Sequence, residues 1–305
     1  MTAGRALAWI LLIASLALGS GTDAGPAPAA QRVGPYTVLA ADFHVHSFPG
    51  DGGLLPGDIV AEARRRRLDA IALTSHNNMW SWRLARRSPF PAPRSPLPDV
   101  IVLPGVELTS AGYHMTTIDV QRPVAWRQSP AHAAAATHAQ GGVAIAAHPR
   151  SPRRSKWDDE AIDAIDGFEA ASSNDSVVEN AAFSRRALVR RPSLAAIGAS
   201  DFHYFAPLGV SRTFVFVTER TPAGVLDAIR KGRTVACDGL GDTAGPAELV
   251  SVVSDECRRA AISDPIGWRW RDGLSTSAAW LALVALVAIG ARERDAGFRY
   301  DAPVD

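Results

Sequence analysis

Six of the eight histidines in this chain occur in short motifs that read together as one candidate site. The motifs are Asp42-Phe43-His44-Val45-His46, Thr74-Ser75-His76-Asn77, Pro104-Gly105-Val106-Glu107, Tyr113-His114, Ala147-His148-Pro149 and Ser200-Asp201-Phe202-His203. Neutral imidazole nitrogens and carboxylate oxygens are ligands that zinc, manganese and iron accept in proteins. The pattern therefore predicts a cluster of divalent metal ions. His132 and His138 match no ligand motif, and we interpret them as structural.

The motifs lie within an alternating series of apolar strand-like runs and helical stretches between about residues 33 and 238. The candidate strands are 37–43, 70–74, 100–106, 115–120, 142–147, 165–169, 194–199 and 213–217. The candidate helices are 57–66, 130–139, 158–164, 177–188 and 222–231. Residues 79–98 are rich in Arg, Ser and Pro and predict a long loop. The alternation predicts an α/β fold with a parallel sheet, either open or closed into a barrel.

In such a barrel the C-terminal ends of the strands open on one face, where active sites are built. The residues that follow or end these strands are His44, His46, His76, Glu107, His148 and Asp201. We therefore expect side chains that are distant in sequence to converge on one pocket. His114 precedes a predicted strand, so it is expected to reach the pocket from the loop after Glu107.

The two ends of the chain predict where the protein resides. Arg5, the apolar run 6–18 and the small residues that follow have the order of a signal peptide, assigned to residues 1–24. Residues 25–36 would be a linker, and 241–272 a juxtamembrane segment. Residues 273–291 contain no charged side chain and approach the ~20 residues of a transmembrane helix, which leaves 292–305 as a cytoplasmic tail. The two ends of the chain together predict an extracytoplasmic domain that one C-terminal helix anchors in the membrane. The alternatives are an apolar N-terminal helix of a cytoplasmic chain and a buried C-terminal core helix.

The amino-acid composition and net charge restrict the class of protein to which this chain can belong. The hydrophobic fraction of 47% permits a large core. The net charge of +1 gives no electrostatic footprint for nucleic acid, so no stable nucleic-acid complex is expected. Cys237 and Cys257 match no metal-ligand spacing. They are able to pair in an oxidising compartment, and the sequence leaves this open.

From about Ala41 to Asp238 the chain resembles the PHP family, the polymerase and histidinol phosphatase domains. The motifs that carry the resemblance are Asp42 to Ser47, Gly50-Asp51-Gly52, Leu73 to His76, Pro104 to Glu107, Ala147-His148-Pro149, Gly198 to His203 and Arg220 to Thr234. Thr74-Ser75-His76 departs from the Thr-Asp-His that is frequent in the family. The resemblance implies a distorted (β/α)7 TIM-like barrel over residues 37–240 that binds two to three divalent ions of zinc, manganese or iron.

The resemblance also implies a distribution of ligands over three metal sites. The ligands would be His44, His46, Glu107 and Asp201 for the first ion, Glu107, His114 and His148 for the second, and Asp51, His76 and His203 for the third. Glu107 would bridge the first two ions.

The implied activity is hydrolysis of phosphoesters, with a small phosphorylated molecule or a nucleotide as substrate and a metal-activated hydroxide as nucleophile. Arg150 and Arg212 are candidate phosphate clamps, since Arg binds phosphate oxygens bidentately. Glu169 ends a predicted strand and is a candidate to orient a ligand histidine. Two alternatives stay open: a metal-dependent amide or ester hydrolase on a related barrel, and a non-catalytic metal-binding sensor module.

Overall fold

The structure is a computed structural model that describes residues 2–19, 31–87, 100–150, 154–203, 207–260 and 270–300. Several predicted segments fall partly outside these ranges. They are the end of the signal peptide and the start of the linker (20–30), the predicted loop beyond residue 87, part of the juxtamembrane segment (261–269) and the end of the tail (301–305).

The described strands form one mixed sheet that is nearly closed into a barrel. They are β1 (Gln31–Val33), β2 (Tyr36–Val45), β3 (Ala70–Leu73), β4 (Ile101–Ser110), β5 (Tyr113–Ile118), β6 (Val143–Ala147), β7 (Gly167–Ala171), β8 (Ala195–Gly198), β9 (Arg212–Val217), β10 (Thr234–Cys237) and β11 (Thr243–Ala244). Their order is β11-β10-β9-β2-β3-β4-β5-β6-β7-β8, with β1 paired to β2. All eight predicted strands have a counterpart in this sheet, which confirms a barrel-like α/β fold.

The expectation of an all-parallel sheet is wrong. The pairs β2–β3, β3–β4, β6–β7 and β7–β8 are parallel, whereas β5 runs antiparallel to both of its neighbours and β9 runs antiparallel to β2. Parallel neighbours require a crossover of a dozen or more residues. Only two residues separate β4 from β5, so this pair is a hairpin. His114 therefore lies within strand β5, and its predicted position in a loop is wrong.

The sheet closes into a barrel where β8 approaches β9, and the two strands are joined there at Gly198. Its amide donates to Oγ1 of Thr213 and its carbonyl oxygen accepts from the same hydroxyl, at 3.1 and 2.8 Å. A Cβ atom at Gly198 would lie 2.2 Å from the carbonyl oxygen of Arg212. Only glycine therefore permits β8 to approach β9 this closely.

The described helices cover the outside of the sheet and its edges. They are α1 (Ala3–Gly19), α2 (Pro56–Arg65), α3 (Trp80–Arg87), α4 (Pro130–His138), α5 (Asp159–Ala164), α6 (Ala181–Arg190), α7 (Pro222–Arg230), α8 (Ala247–Ala260) and α9 (Trp270–Tyr300). Three of these helices begin with a side-chain cap. The side chains of Ser129, Asp158 and Thr221 each accept a hydrogen bond from a backbone amide in the first turn. Helix α3 corrects the prediction of loop from residue 79. The residues Trp80–Arg87 contain neither proline nor glycine, and the first proline after them is Pro89, so a short helix is compatible with this stretch.

The centre of the barrel is filled by apolar residues of alternate strands. Leu39, Ala41 and Phe43 of β2 point inward together, and Ile145 and Ile197 meet them from the far side. All five side chains are fully buried. Because the interior is filled in this way, the polar side chains at the strand ends are confined to the rim.

Helix α8 lies in the predicted juxtamembrane segment, and a disulfide between Cys237 and Cys257 joins it to β10. Val253 and Cys257 pack on Phe214 and Phe216 of the sheet. The bond closes a loop with a sequence separation of 20 residues. The described chain has no free cysteine. The pairing left open by the sequence is thus present in the structure.

We expect Cys257→Ser to lower the free energy of unfolding by about 3 kcal/mol, because the open chain regains the entropy that the closed loop removes. Chemical denaturation monitored by circular dichroism measures this. Wild-type protein treated with a reductant is the matched control and should show the same loss. Equal stability of oxidised and reduced protein would contradict the prediction.

Candidate metal centre

The structure brings the nine sequence-predicted ligands together at one rim of the barrel. They come from the ends of β2, β3, β6 and β8, from within β4 and β5, and from the loop after β2. They form three groups whose ligand atoms lie within 4.8 Å of one another. The groups are His44, His46, Glu107 and Asp201; Glu107, His114 and His148; and His46, Asp51, His76 and His203.

The first group places two imidazole nitrogens opposite two carboxylate oxygens. Nε2 of His44 lies 3.4 Å from Oε2 of Glu107 and 3.2 Å from Oδ1 of Asp201. Nε2 of His46 lies 3.3 Å from each of the same two oxygens. The two imidazole nitrogens are 3.1 Å apart. Ligand atoms bound tetrahedrally at ~2.1 Å are separated by about 3.4 Å, so these spacings match one zinc-sized ion.

The second group uses the other oxygen of the same glutamate. Oε1 of Glu107 lies 2.5 Å from Nδ1 of His114 and 3.2 Å from Nε2 of His148. Glu107 is fully buried, and each of its oxygens faces a different set of histidines. This position is compatible with the bridging role that the family resemblance implies.

The third group is centred on Asp51. Its Oδ2 lies 3.0 Å from Nε2 of His76 and 3.2 Å from Nε2 of His203, and its Oδ1 lies 3.0 Å from Nδ1 of His46. His46 thus contacts this group through one nitrogen and the first group through the other. The sequence reasoning placed His46 in the first group alone. Asp51 and His76 are also the most exposed members of the cluster, so this group faces solvent.

Two buried oxygen atoms give an independent test of whether cations fit. Oε2 of Glu107 and Oδ1 of Asp201 accept no well-aligned hydrogen bond among the described residues, although Nδ1 of His76 lies 2.6 Å from Oε2 of Glu107. Unpaired buried carboxylate oxygens are costly, and they are normally satisfied by a cation or a donor. Both atoms face the imidazole nitrogens of His44 and His46. The donor set and the orphaned oxygens therefore fit a divalent ion.

The carboxylates make this rim strongly electronegative. Burial opposes protonation of His44, yet Asp201, Glu107 and Glu169 together raise its pKa well above the usual value. Burial also acts to lower the pKa of His46, but Asp201, Asp51 and Glu107 outweigh this effect and raise that pKa to about 10. His76, despite its own burial, has its pKa raised to about 9 by Asp51 and Glu107. The same charges that favour imidazolium here favour a bound metal cation.

Metal binding should therefore release protons at neutral pH. His46 and His76 have pKa values of about 10 and about 9, so both are protonated at pH 7 without metal. A ligand imidazole must be neutral, and the pKa of His44 is raised as well, so binding expels at least two protons and affinity rises with pH until these values are passed. Calorimetric titration with zinc in buffers of different ionisation enthalpy counts the protons. The His132→Gln variant should release the same number. An affinity that does not change with pH would contradict the prediction.

Several buried groups hold the ligands in place. Oε1 of Glu169 lies 2.7 Å from Nδ1 of His44, and its Oε2 accepts the amide of His148 at 2.7 Å. Glu169 therefore contacts one of the histidines that the sequence predicts to be ligands. Thr109 lies on the other side of the site, with its hydroxyl oxygen 2.5 Å from Nδ1 of His76.

Asp42 is a supporting residue that the sequence reasoning missed. Its Oδ1 accepts the amides of His44 and Ser200, and its Oδ2 accepts the Ser200 hydroxyl and the Gly209 amide. Burial raises the pKa of Asp42 to about 6, and these hydrogen bonds limit the rise. It joins the strand that carries His44 to the segment that carries Asp201. The available signal was its position two residues before His44, on the same face of β2.

The backbone at the strand ends is unusual where the ligands lie. His148 and Asp201 have backbone φ angles of 29° and 48°. These values lie in the left-handed region, which residues other than glycine rarely adopt. Such conformations concentrate at functional sites, where the surrounding structure compels them. Gly52 allows a close approach as well, because a Cβ atom there would lie 2.2 Å from the carbonyl carbon of His46. The loop that carries Asp51 is thereby held against β2.

The two predicted phosphate clamps have other partners. Arg150 is exposed and forms ion pairs with Asp175 and Glu179. Arg212 is buried and donates to the main-chain carbonyls of Gly209 and Arg66. Their guanidinium groups are thus occupied in structural contacts, and we assign neither to substrate.

Arg154 is a further cation near the site, and the sequence reasoning did not name it. The pKa of His114 is lowered by burial and, to a smaller extent, by His148 and by the charge of Arg154, while Glu107 raises it. Arg154 therefore lies close enough to His114 to act on it electrostatically. The signal available in the sequence was the arginine-rich stretch that follows His148. Arg150, the first arginine of that stretch, was predicted to bind phosphate instead of Arg154.

A mixed α/β barrel with a cluster of His, Asp and Glu on one rim is typical of metalloenzymes. A family model described as PHP-associated matches residues 184–234. A two-domain protein from Bacteroides vulgatus that contains a predicted PHP-like metal-dependent phosphoesterase has a similar fold, with a TM-score of 0.61 and 24% identity over 78% of this chain and 75% of that chain.

A second solved structure, PsfC from Pseudomonas syringae, is 17% identical over 74% of this chain and 99% of that chain, with a TM-score of 0.49. No curated protein matches the sequence. The PHP-associated match and the fold shared with the Bacteroides protein support the PHP domain family for this chain. The resemblance stated from the sequence is thereby confirmed.

Proposed function

We propose that this protein is a metal-dependent phosphoesterase that uses two to three divalent ions of zinc, manganese or iron. The observation that carries the proposal is Glu107, whose two buried oxygens face two separate sets of histidines. Adjacent divalent ions lower the pKa of a coordinated water and neutralise charge on phosphate oxygens. The chain belongs to a fold group that includes a predicted phosphoesterase, which supports the same reaction class.

The residues would divide the work as follows. The first ion would be held by His44, His46, Glu107 and Asp201, the second by Glu107, His114 and His148, and the third by Asp51, His76 and His203. Glu169 would fix the ring of His44 by accepting a hydrogen bond from its Nδ1–H group, which leaves Nε2 available to the ion. Because the third group is exposed, substrate would enter from its side.

Arg154 would bind the phosphate group beside the second ion. Arginine presents several donors that match phosphate oxygens, and Arg154 acts electrostatically on His114. We expect Arg154→Ala to raise KM for a phosphoester about tenfold or more, with Arg154→Lys between it and wild type. Steady-state kinetics measures this, and Arg150→Ala is the matched control with little effect. A KM that is unchanged in Arg154→Ala would remove this residue from the site.

The domain would act outside the cytoplasm, attached to a membrane. The support is the apolar stretch Gly273–Arg292, a helix of 20 residues with mean hydropathy of 2.0, together with the disulfide, which is typical of oxidising compartments. The apolar N-terminal segment would direct export. In this proposal residues 37–240 form the catalytic domain, and α8 extends its packed structure to Ala260.

Metal analysis combined with a phosphatase assay tests the proposed activity. Purified protein should contain two to three metal ions per chain and release phosphate from an aryl phosphate when manganese, zinc or iron is supplied. His148→Ala and Asp201→Ala should abolish release while circular dichroism shows a folded barrel. Bound metal without phosphate release would contradict the phosphoesterase, and an absence of bound metal would contradict the site itself.

A further inference from the structure

Helices α1 and α9 pack against each other as an antiparallel pair. One face of α1, with Ala8, Leu12 and Leu16, is buried, and its last two members cluster with Ala279 and Ala282 of α9. A Cβ atom at Gly4 would lie 3.6 Å from Cδ1 of Ile289 near the other end of α9. Small residues at a contact between two apolar helices are typical of helices that associate within a membrane.

The outer faces of this pair are apolar and exposed. On α1 the exposed side chains are Leu7, Trp9, Ile10, Leu11 and Ile13, and on α9 they are Trp280, Leu281, Val284 and Val287. The exposed fraction reaches 67% for Leu7 and for Leu281. Apolar patches of this extent on a chain indicate a surface that meets lipid or another apolar partner.

Arginines flank the apolar stretch of α9 in the sequence on both sides, Arg269 and Arg271 before it and Arg292 and Arg294 after it, which favours a bilayer as that partner. Arg5 lies near the start of α1 and Arg292 near the end of the apolar part of α9, and the antiparallel packing brings both to the end remote from the barrel. Positively charged residues flank membrane helices on the cytoplasmic side. This orientation keeps the barrel and its disulfide on the opposite, oxidising side.

The barrel end of the pair contacts the loop that carries Asp51. Oγ1 of Thr276 donates to the carbonyl oxygen of Gly53 at 3.1 Å, and the amide of Gly53 donates to the carbonyl oxygen of His203 at 2.8 Å. The ring of Trp280 lies edge-on to Phe48, with centroids 5.0 Å apart. Only two hydrogen bonds therefore separate the membrane helix from a residue of the third metal group.

These contacts set the depth of the metal site. Thr276 lies three residues after Gly273, the start of the apolar stretch, which is ~5 Å along a helix. The whole stretch spans ~30 Å, the thickness of a hydrocarbon core. Because Thr276 lies only ~5 Å and Trp280 ~10 Å into the stretch, its insertion holds the loop with Gly53 and Asp51 at the membrane surface and directs Phe48 into the outer part of the acyl region.

We propose that α1 is retained in the mature protein, that it inserts with α9 as a helical pair, and that the metal site acts on phosphoester groups of membrane lipids. The substrate class rests on the proposed phosphoesterase activity, and the insertion does not. Soluble phosphoesters remain weak substrates, because they lack the acyl chains that concentrate substrate beside the site.

Full-length protein purified in detergent and mixed with phospholipid vesicles tests the proposal. Three readouts are needed: flotation with the vesicles, intact mass, and phosphate release from a long-chain lipid phosphomonoester, its short-chain soluble analogue and an aryl phosphate. Leu281→Lys with Val284→Lys places charges on the exposed face of α9. Val189→Lys with Leu240→Lys is the matched control, since both residues are exposed and apolar on the barrel.

We expect wild type and the control to float, to retain residues 2–19 by mass, and to cleave the vesicle lipid about tenfold or more faster than the short-chain analogue. The α9 double variant should lose flotation and at least about tenfold of lipid hydrolysis, because lysine is costly in the hydrocarbon core. Its rate on the aryl phosphate should stay within about twofold of wild type.

Flotation of the α9 variant like wild type would overturn the inserted pair, and so would a mature mass that lacks residues 2–19. Cleavage of the aryl phosphate without cleavage of the vesicle lipid would overturn the substrate class alone. If metal-loaded protein floats but cleaves none of the three substrates, the proposed phosphoesterase activity is the part that fails.

Discussion

Glu107→Gln should reduce metal-dependent phosphate release by about a thousandfold and lower the metal content of the purified protein. The carboxylate contacts His44 and His46 through one oxygen and His114 and His148 through the other. The amide that replaces it offers one neutral oxygen and an NH2 group, which cannot bind a cation. Loss of a shared ligand should cost about 4 kcal/mol of transition-state stabilisation, which is a thousandfold in rate.

Elemental analysis and kcat/KM on an aryl phosphate, measured on the same preparation, test this expectation. Glu248→Gln is the matched control, because Glu248 is exposed on α8, within the segment that follows the barrel. It should retain wild-type metal content and activity. Glu107→Gln protein with full metal content and wild-type turnover would remove the shared carboxylate from the mechanism.

Asp42→Ala should lower the free energy of unfolding by about 3–5 kcal/mol even when all metal has been removed by a chelator. Asp42 is fully buried and accepts four hydrogen bonds, from the amides of His44, Ser200 and Gly209 and from the Ser200 hydroxyl. Alanine leaves these donors buried and unsatisfied, at ~1–3 kcal/mol each before relaxation. The segment that carries Asp201 would then also lose its attachment to β2.

Asp42→Asn should be milder, at about 1–3 kcal/mol, because its oxygen can still accept two amides. Its NH2 group can donate to the Ser200 hydroxyl but would meet the Gly209 amide donor. Denaturation in chelator compares the two variants, and Asp255→Ala on the exposed side of α8 is the control. Equal stability of wild type and Asp42→Ala would show that the network contributes nothing.

The membership of the candidate site was predictable because its residues come in local motifs at strand ends. His44 lies at the end of β2 and His46 directly follows it, and the left-handed backbone at His148 and Asp201 occurs after two other strands. Strand alternation and apolar runs are local patterns, so they survive without knowledge of the tertiary structure. The same reasoning was wrong for β5, because a two-residue turn in place of a helix reversed its direction.

The two arginines that the sequence predicted to bind phosphate, by contrast, have other partners in the structure. Arg150 and Arg212 were chosen by residue type and proximity in sequence, yet their guanidinium groups contact Asp175 and main-chain carbonyls. Where a long flexible side chain points depends on which partners the fold brings within its reach. Residue type alone therefore could not show that Arg150 and Arg212 have structural partners.

By itself the sequence predicted an α/β barrel that resembles the PHP family, with a His, Asp and Glu cluster, and two apolar ends. Apolar periodicity and motif spacing are encoded within a few residues. Only the tertiary structure decided that Glu107 faces two groups of histidines, that Asp42 joins β2 to the Asp201 segment, and that α1 pairs with α9. Those contacts join residues far apart in the chain, and only the packing of the complete fold specifies them.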